Sequence, residues 1–163
     1  MNGFQKMRRR LESYPGVLDE VDKKILEILR EDSKRRLKDI AHELAKPVST
    51  VHERVARLVR AGVIKRFTVE VDYSKLGYTV KALILLNVDG KHILDVESDI
   101  SRHQNVEAVY DITGEFDVAV IASFKSISEL DEFVKWLLKH PYIKQSRTSI
   151  IFRVAKEEKR LPL

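Results

Sequence analysis

Ser49, Thr50, His52, Glu53, Arg54 and Arg57 crowd into one short stretch of the chain. Hydroxyl, imidazole and guanidinium groups hydrogen-bond to base edges and neutralise phosphates, whereas an ordinary solvated helix face is rich in Glu and Lys. Arg54 and Arg57 stand one helical turn apart, and arginine suits both guanine O6/N7 and phosphate. The competing role for Arg57 is an i,i+4 ion pair with Glu53. Ser49, Thr50 and His52 fall near a helix start, where backbone N–H groups also attract phosphate and hydroxyls also serve as caps. Further along, Asp111, Glu115 and Asp117 surround Gly114. Such carboxylates could perform acid–base catalysis or bind a divalent cation. No His, Lys or nucleophile stands at a recognisable spacing from them, and His42, His52, His92, His103 and His140 are scattered. The sequence therefore assigns no catalytic residue, no metal ligand and no cofactor, and the chain is not expected to be an enzyme.

The elements that must position these residues are legible from periodicity. Leu37, Ile40, Ala41 and Leu44 share one helical face; Val48, Val51, Val55 and Leu58 recur at helical steps on the next. Only Ala45-Lys46-Pro47 separates the two, which forces a sharp reversal and makes a helix-turn-helix. Pro47 can begin the second helix at its first position, where its missing N–H is not needed. An earlier helix runs from Glu20 to Glu31, capped by Asp19, with Val21, Ile25, Ile28 and Leu29 inward. Ala61-Gly62 ends the helix-turn-helix, Gly62 being able to take φ > 0. Residues 63–71 are β-branched and extended, and read as a linking strand.

The second half alternates strand and helix. Strands are predicted over 78–88, 106–113, 117–124 and 147–154, with helices over 92–103 and from the Ser126/Glu129 capping box to Lys139-His140-Pro141. Ile93, Val96 and Ile100 line the first of these helices; Ile127, Leu130, Val134 and Leu137 line the second, with Phe133 and Trp136 as core or interface. The order βαββαβ is a ferredoxin-like sandwich, and the fold class is α+β. Helices cover one sheet face only. Val118/Val120 or Ala119/Ile121, depending on register, leave an apolar patch on the other, so dimerisation through that face is expected.

Charge separates the halves. Residues 1–66 hold 17 Lys and Arg against 10 Asp and Glu, and residues 67–163 hold 13 against 15, so nets of +7 and −2 make up the overall +5. That asymmetry points to a polyanion-binding half and a second half with another task. Arg8, Arg9 and Arg10 could be a phosphate-binding arm or a disordered basic tail. There are 0 cysteines, which fits a reducing cytoplasm. The longest apolar run, Ala82–Leu86, is strand length and far below the roughly 18 residues of a membrane span. The N-terminus lacks the apolar region of a signal peptide.

Several stretches occur in a familiar order: Leu18-Asp19-Glu20-Val21-Asp22 with Ile25-Leu26, Ser49 through Val55, Gly62-Val63-Ile64-Lys65, Lys75-Leu76-Gly77-Tyr78, Thr113 through Asp117, and Ser146-Arg147-Thr148. Over residues 17–154 the chain resembles the Lrp/AsnC (feast/famine) family of prokaryotic transcription regulators. In the turn that family usually has Gly, an apolar residue and a capping Ser, where this chain has Ala45, Lys46 and Pro47. Lys46 gains a possible phosphate contact there. The resemblance implies an effector site for an amino acid between subunits, lined by the hairpin Thr113, Gly114, Glu115, Phe116 and Asp117, with Ser146 and Thr148 as hydroxyl partners. It also implies a homodimer or a higher assembly such as an octamer.

The resulting expectation is an N-terminal extension (1–17), a winged, three-helix helix-turn-helix domain (18–66), a linker strand (67–77), a ferredoxin-like effector and oligomerisation domain (78–155) and a charged, frayed tail (156–163). Double-stranded DNA would be contacted by Lys46, Ser49, Thr50, His52, Arg54 and Arg57. Function reads as sequence-specific transcription regulation in the cytoplasm, tuned by an amino-acid effector. The alternatives are a nonspecific DNA-packaging assembly and a small enzyme on the ferredoxin-like domain.

Overall fold

The computed structural model describes residues 18–158 and 161–163. The expectations for Arg8, Arg9 and Arg10 lie outside the described residues. The chain divides between Glu70 and Val71 into two compact units, each with its own core.

The first unit is three helices: α1 (Glu20–Glu31), α2 (Leu37–Glu43) and α3 (Val48–Arg60). Asp19 caps α1 by accepting the Asp22 N–H at 2.8 Å, and the Asp22 carboxylate reaches back toward the Asp19 N–H. Ile25, Ile40, Val51 and Leu58 are wholly buried where the helices meet, each worth about 1.5–3 kcal/mol of burial. Val48 departs from the periodic reading: it is 51% exposed, because the first turn of α3 projects beyond the core.

The turn between α2 and α3 is closed by backbone. The Lys46 N–H donates to the Ala41 carbonyl at 2.9 Å and the Ala45 N–H to that of His42 at 3.2 Å, which places Ala45 at φ 50°. Pro47 stands at the cap of α3 rather than at its first position, and no side chain caps the helix. Gly62, at φ 72°, ends α3 with the same bonding pattern, Val63 N–H to Leu58 carbonyl and Gly62 N–H to Val59 carbonyl. Residues 63–72 form no strand. A strand needs a neighbour to pair with, and none of the described residues supplies one. Ile64 packs on the helical core instead, while Phe67 and Val69 stay exposed.

The second unit begins with a 3₁₀ turn (Tyr73–Leu76) that Gly77 ends at φ 89°. Then follow β1 (Val80–Val88), α4 (Ile93–Ile100), β2 (Val106–Asp111), β3 (Val118–Phe124), α5 (Ile127–Leu138) and β4 (Ile143–Ile151). The four strands are antiparallel in the order β2-β3-β1-β4, the ferredoxin-like arrangement. The register places Ala82, Ile84, Leu86 and Val88 of β1 and Val118, Val120, Ala122 and Phe124 of β3 beneath the helices, packed with Val96, Ile100, Leu130, Phe133 and Leu137. Leu83, Leu85, Ala119 and Ile121 therefore face the other side.

Four details differ from the sequence expectations. β4 starts four residues earlier than expected, at Ile143, because its polar run Lys144–Ser149 occupies a sheet edge that tolerates it. Ile127 is exposed at the start of α5, and Phe133 takes its place in the core. The capping box is half made: Ser126 accepts the Glu129 N–H, but Glu129 returns to the Lys125 N–H. In the tail, Glu157 is held by Lys81, 2.7 Å away, rather than frayed.

Candidate nucleic-acid interface and effector hairpin

Along α3 the buried seam Val51, Val55 and Leu58 fixes what the rest of the helix presents. Ser49, Glu53 and Arg60 stand opposite that seam and are exposed; His52 is exposed on one flank. Lys46, in the turn, is exposed beside the start of the helix, and Thr50 is half-buried. These positions agree with an outward polar face.

Arg54 and Arg57 lie on the other flank, toward the start of α1. Arg54 Nη1 is 2.6 Å from Asp19 Oδ2 and 2.9 Å from Asp22 Oδ1, and Arg57 Nη2 is 2.5 Å from Asp22 Oδ2. Asp22 is only 1% exposed, so its carboxylate needs these partners. The hydrogen bond from Arg54, then that from the Asp22 N–H, holds the Asp19 carboxyl below its ordinary range; Asp19 in turn raises Arg54. Arg57 pairs with Asp22 and not with Glu53. Its guanidinium is still about half exposed, so N–H groups remain for another partner. Asp22 was not singled out from sequence. A third-position acid reads as a helix cap, and only the crossing of α1 and α3 reveals its second task.

In the second unit the hairpin between β2 and β3 turns at Gly114, whose φ of 125° suits glycine. The three acids do not converge. The Asp117 carboxylate accepts the Val88 N–H at 2.8 Å. Asp111 lies near Glu97, whose carboxyl is pushed up by burial and then by the Asp111 charge. Glu115 pairs with Arg147 of β4 at 3.3 Å, and the Arg147 guanidinium lies 4.9 Å over the ring of buried Phe116. Thr113 and Gly114 are exposed at the turn. Ser146 and Thr148 pair with Leu86 and Ile84 and so share the helix-side face, whereas Arg147 pairs with Leu85 on the opposite face. The residue that joins the hairpin is thus Arg147, between the two hydroxyls chosen from sequence. Strand alternation alone could have flagged it, had the register been known. Among the described residues no group of three or more His, Cys, Asp or Glu could hold a metal ion. No helix there is long and apolar enough to cross a membrane.

Comparison with known proteins places both halves. Residues 18–65 match the winged helix-turn-helix DNA-binding family, and residues 81–161 match the Lrp/AsnC ligand binding domain. An HTH-type transcriptional regulator of Pyrococcus abyssi is 39% identical over 145 residues, which cover 89% of this chain and 99% of that protein. The chain belongs to the Lrp/AsnC family. It is a transcriptional regulator with a DNA-binding helix-turn-helix and an Lrp/AsnC ligand-binding domain. Among solved structures, Bacillus subtilis LrpC superposes with a TM-score of 0.78 at 28% identity, covering 88% of this chain and all (100%) of its own. A Neisseria meningitidis regulator, solved as a complex with L-Met, shares the fold at a TM-score of 0.84 and 22% identity, over 90% of this chain and 97% of its own.

Proposed function

We propose that this Lrp/AsnC family member is a sequence-specific DNA-binding regulator whose assembly or DNA affinity is tuned by an amino-acid effector. The observation that carries the DNA half is the outward face of α3, where Ser49, Glu53 and Arg60 are exposed opposite the buried seam and His52 is exposed on its flank. Lys46, Thr50 and the free edge of Arg57 flank that face and serve phosphates. Arg54 reaches DNA only at the expense of two carboxylates, so its main role is to hold α3 against α1. Competition of a selected duplex against random duplex is the test. A ratio near one sinks sequence specificity and leaves nonspecific packaging, which the basic N-terminal half would also support.

The effector half rests on Glu115 and Arg147, opposite charges 3.3 Å apart and both exposed. An amino acid carries an ammonium and a carboxylate and could exchange with that pair, its side chain lying against the Phe116 surroundings. The neighbour solved with L-Met supports the ligand class. Titrating the twenty amino acids by calorimetry and by gel shift tests it. An effector coupled by 1–3 kcal/mol would change operator affinity roughly 5- to 150-fold. That response should vanish in Arg147→Gln while DNA affinity without effector holds. If no amino acid binds, the second unit is an assembly module alone. Action in the cytoplasm and as a homodimer or larger assembly belongs to the same reading.

A further inference from the structure

Glu53 is the single acid of α3, a helix that otherwise presents Arg54, Arg57, Arg60 and His52. It stands opposite the buried seam, with Ser49 one turn before it and Arg60 two turns after, and it is exposed. An acid at that place on a phosphate-facing surface lowers affinity for every duplex alike, unless something compensates it. The ordinary compensation is an ion pair with the residue four positions on, Arg57. That pair is not made. Asp22 takes Arg57 at 2.5 Å, and Asp19 with Asp22 takes Arg54. Among the described residues the Glu53 carboxylate has no hydrogen bond or ion pair.

We propose that Glu53 is a specificity-determining residue that accepts the N4 amino group of a cytosine in the major groove, left free for this by Asp22. The proposal rests on α3 being the helix that reads sequence. The chemistry favours cytosine. A carboxylate only accepts hydrogen bonds, and cytosine presents an amino donor there with no acceptor of its own. Adenine sets its N7 acceptor beside its amino group, thymine offers O4 and a methyl, and guanine offers two acceptors, so each opposes one or both oxygens. Glu53 then acts largely by rejection: its cost is recovered at one base pair and retained at the others. Asp22 is a positioning residue in this scheme, acting through Arg57.

The test is selection of binding sites from a random duplex library with the full-length protein, followed by affinity measurements on the selected duplex and on variants at each position. Wild type should enrich a motif containing a cytosine whose replacement weakens binding roughly 5- to 150-fold, the range for one good base contact. Glu53→Ala should flatten preference at that position alone and raise affinity for random duplex. Glu53→Gln should move the preference toward adenine, since an amide both donates and accepts. Asp22→Asn, which releases Arg57 toward Glu53, should flatten the same position although Glu53 is intact. A motif unchanged in both Glu53 variants overturns the proposal while leaving sequence-specific regulation standing. A wild-type protein that enriches no motif overturns the functional reading beneath it. Equal loss at every position in Asp22→Asn, with Glu53→Ala flattening one, removes Asp22 from the mechanism.

Discussion

The Asp117 carboxylate accepts the backbone N–H of Val88 at 2.8 Å, tying the first residue after the hairpin turn to the last residue of β1. The backbone of Asp117 adds a second tie, its N–H donating to the Leu86 carbonyl at 3.0 Å, while its carbonyl accepts the Ile112 N–H at 2.9 Å. Asp117 is therefore occupied by the fold, and the charge offered to a ligand comes from Glu115 and Arg147. Asp117→Ala should destabilise the second unit by about 1–3 kcal/mol, because Val88 sits at 4% exposure and its N–H would lose its partner. Asp117→Asn keeps an oxygen in place and should cost less. Urea unfolding followed by the fluorescence of Trp136, the one tryptophan in the chain, measures both. Equal, negligible losses in the two variants would show that this bond contributes nothing.

Ala45 occupies the left-handed region at φ 50°, where a Cβ crowds the backbone. The bonds of Ala45 and Lys46 to the end of α2 require that conformation, so the strain cannot relax without opening the turn. Ala45→Gly should stabilise the helix-turn-helix by about 1 kcal/mol, the relief outweighing the extra freedom of glycine in the unfolded chain. Thermal unfolding of the full chain reads this as an upward shift of a few degrees. A lower Tm would mean that the α2–α3 turn carries no strain.

Much of this architecture was legible in the sequence, and the exceptions share a cause. Helix seams such as Ile25/Leu29 and Val51/Val55/Leu58 repeat at fixed local spacing, so they could be read directly. The βαββαβ order followed from the same patterns. The partners of Arg54 and Arg57 lie more than thirty residues away, so only the local rival Glu53 was visible. The hairpin acids looked like a cluster because they are close in sequence, yet strand alternation and register send Asp111, Glu115 and Asp117 to different neighbours. β4 was misplaced because an edge strand can be polar on both faces and then carries no period. Residues 63–72 have the composition of a strand without a partner to complete one.

The sheet face away from the helices joins Leu83, Leu85, Ala108, Ala119 and Ile121, with Tyr110 51% exposed at its margin. The homodimer proposed above would use this face, where two copies would bury their apolar surface against each other. The wild-type chain should then sediment as a dimer or larger, and Ile121→Asp, which places a charge on that face, should sediment as a monomer. Its circular dichroism should be retained, because Ile121 is outside the helix-side core. A dimer that survives this change must be held elsewhere.

His103 follows α4 and packs at a tilt against Phe133, 4.6 Å away, and Trp136, 5.2 Å away between ring centroids. Its Nδ1 accepts the Asn105 N–H at 3.3 Å, which requires that nitrogen to be unprotonated. Burial lowers its pKa from the ordinary value of 6.5. The folded state then binds fewer protons than the unfolded one as pH falls through 6.5, so stability decreases with acidification from that point until the lower, folded pKa is passed. Above 6.5 the group is neutral in both states and contributes no slope. Unfolding midpoints followed by Trp136 fluorescence should fall as pH drops below 6.5, and His103→Gln should remove that part of the decline. Trp136 also reports directly, since a charged imidazole beside it would change its emission. A wild-type profile that is flat over this range, or one that His103→Gln leaves unaltered, would mean that His103 is protonated as readily in the fold as in the unfolded chain.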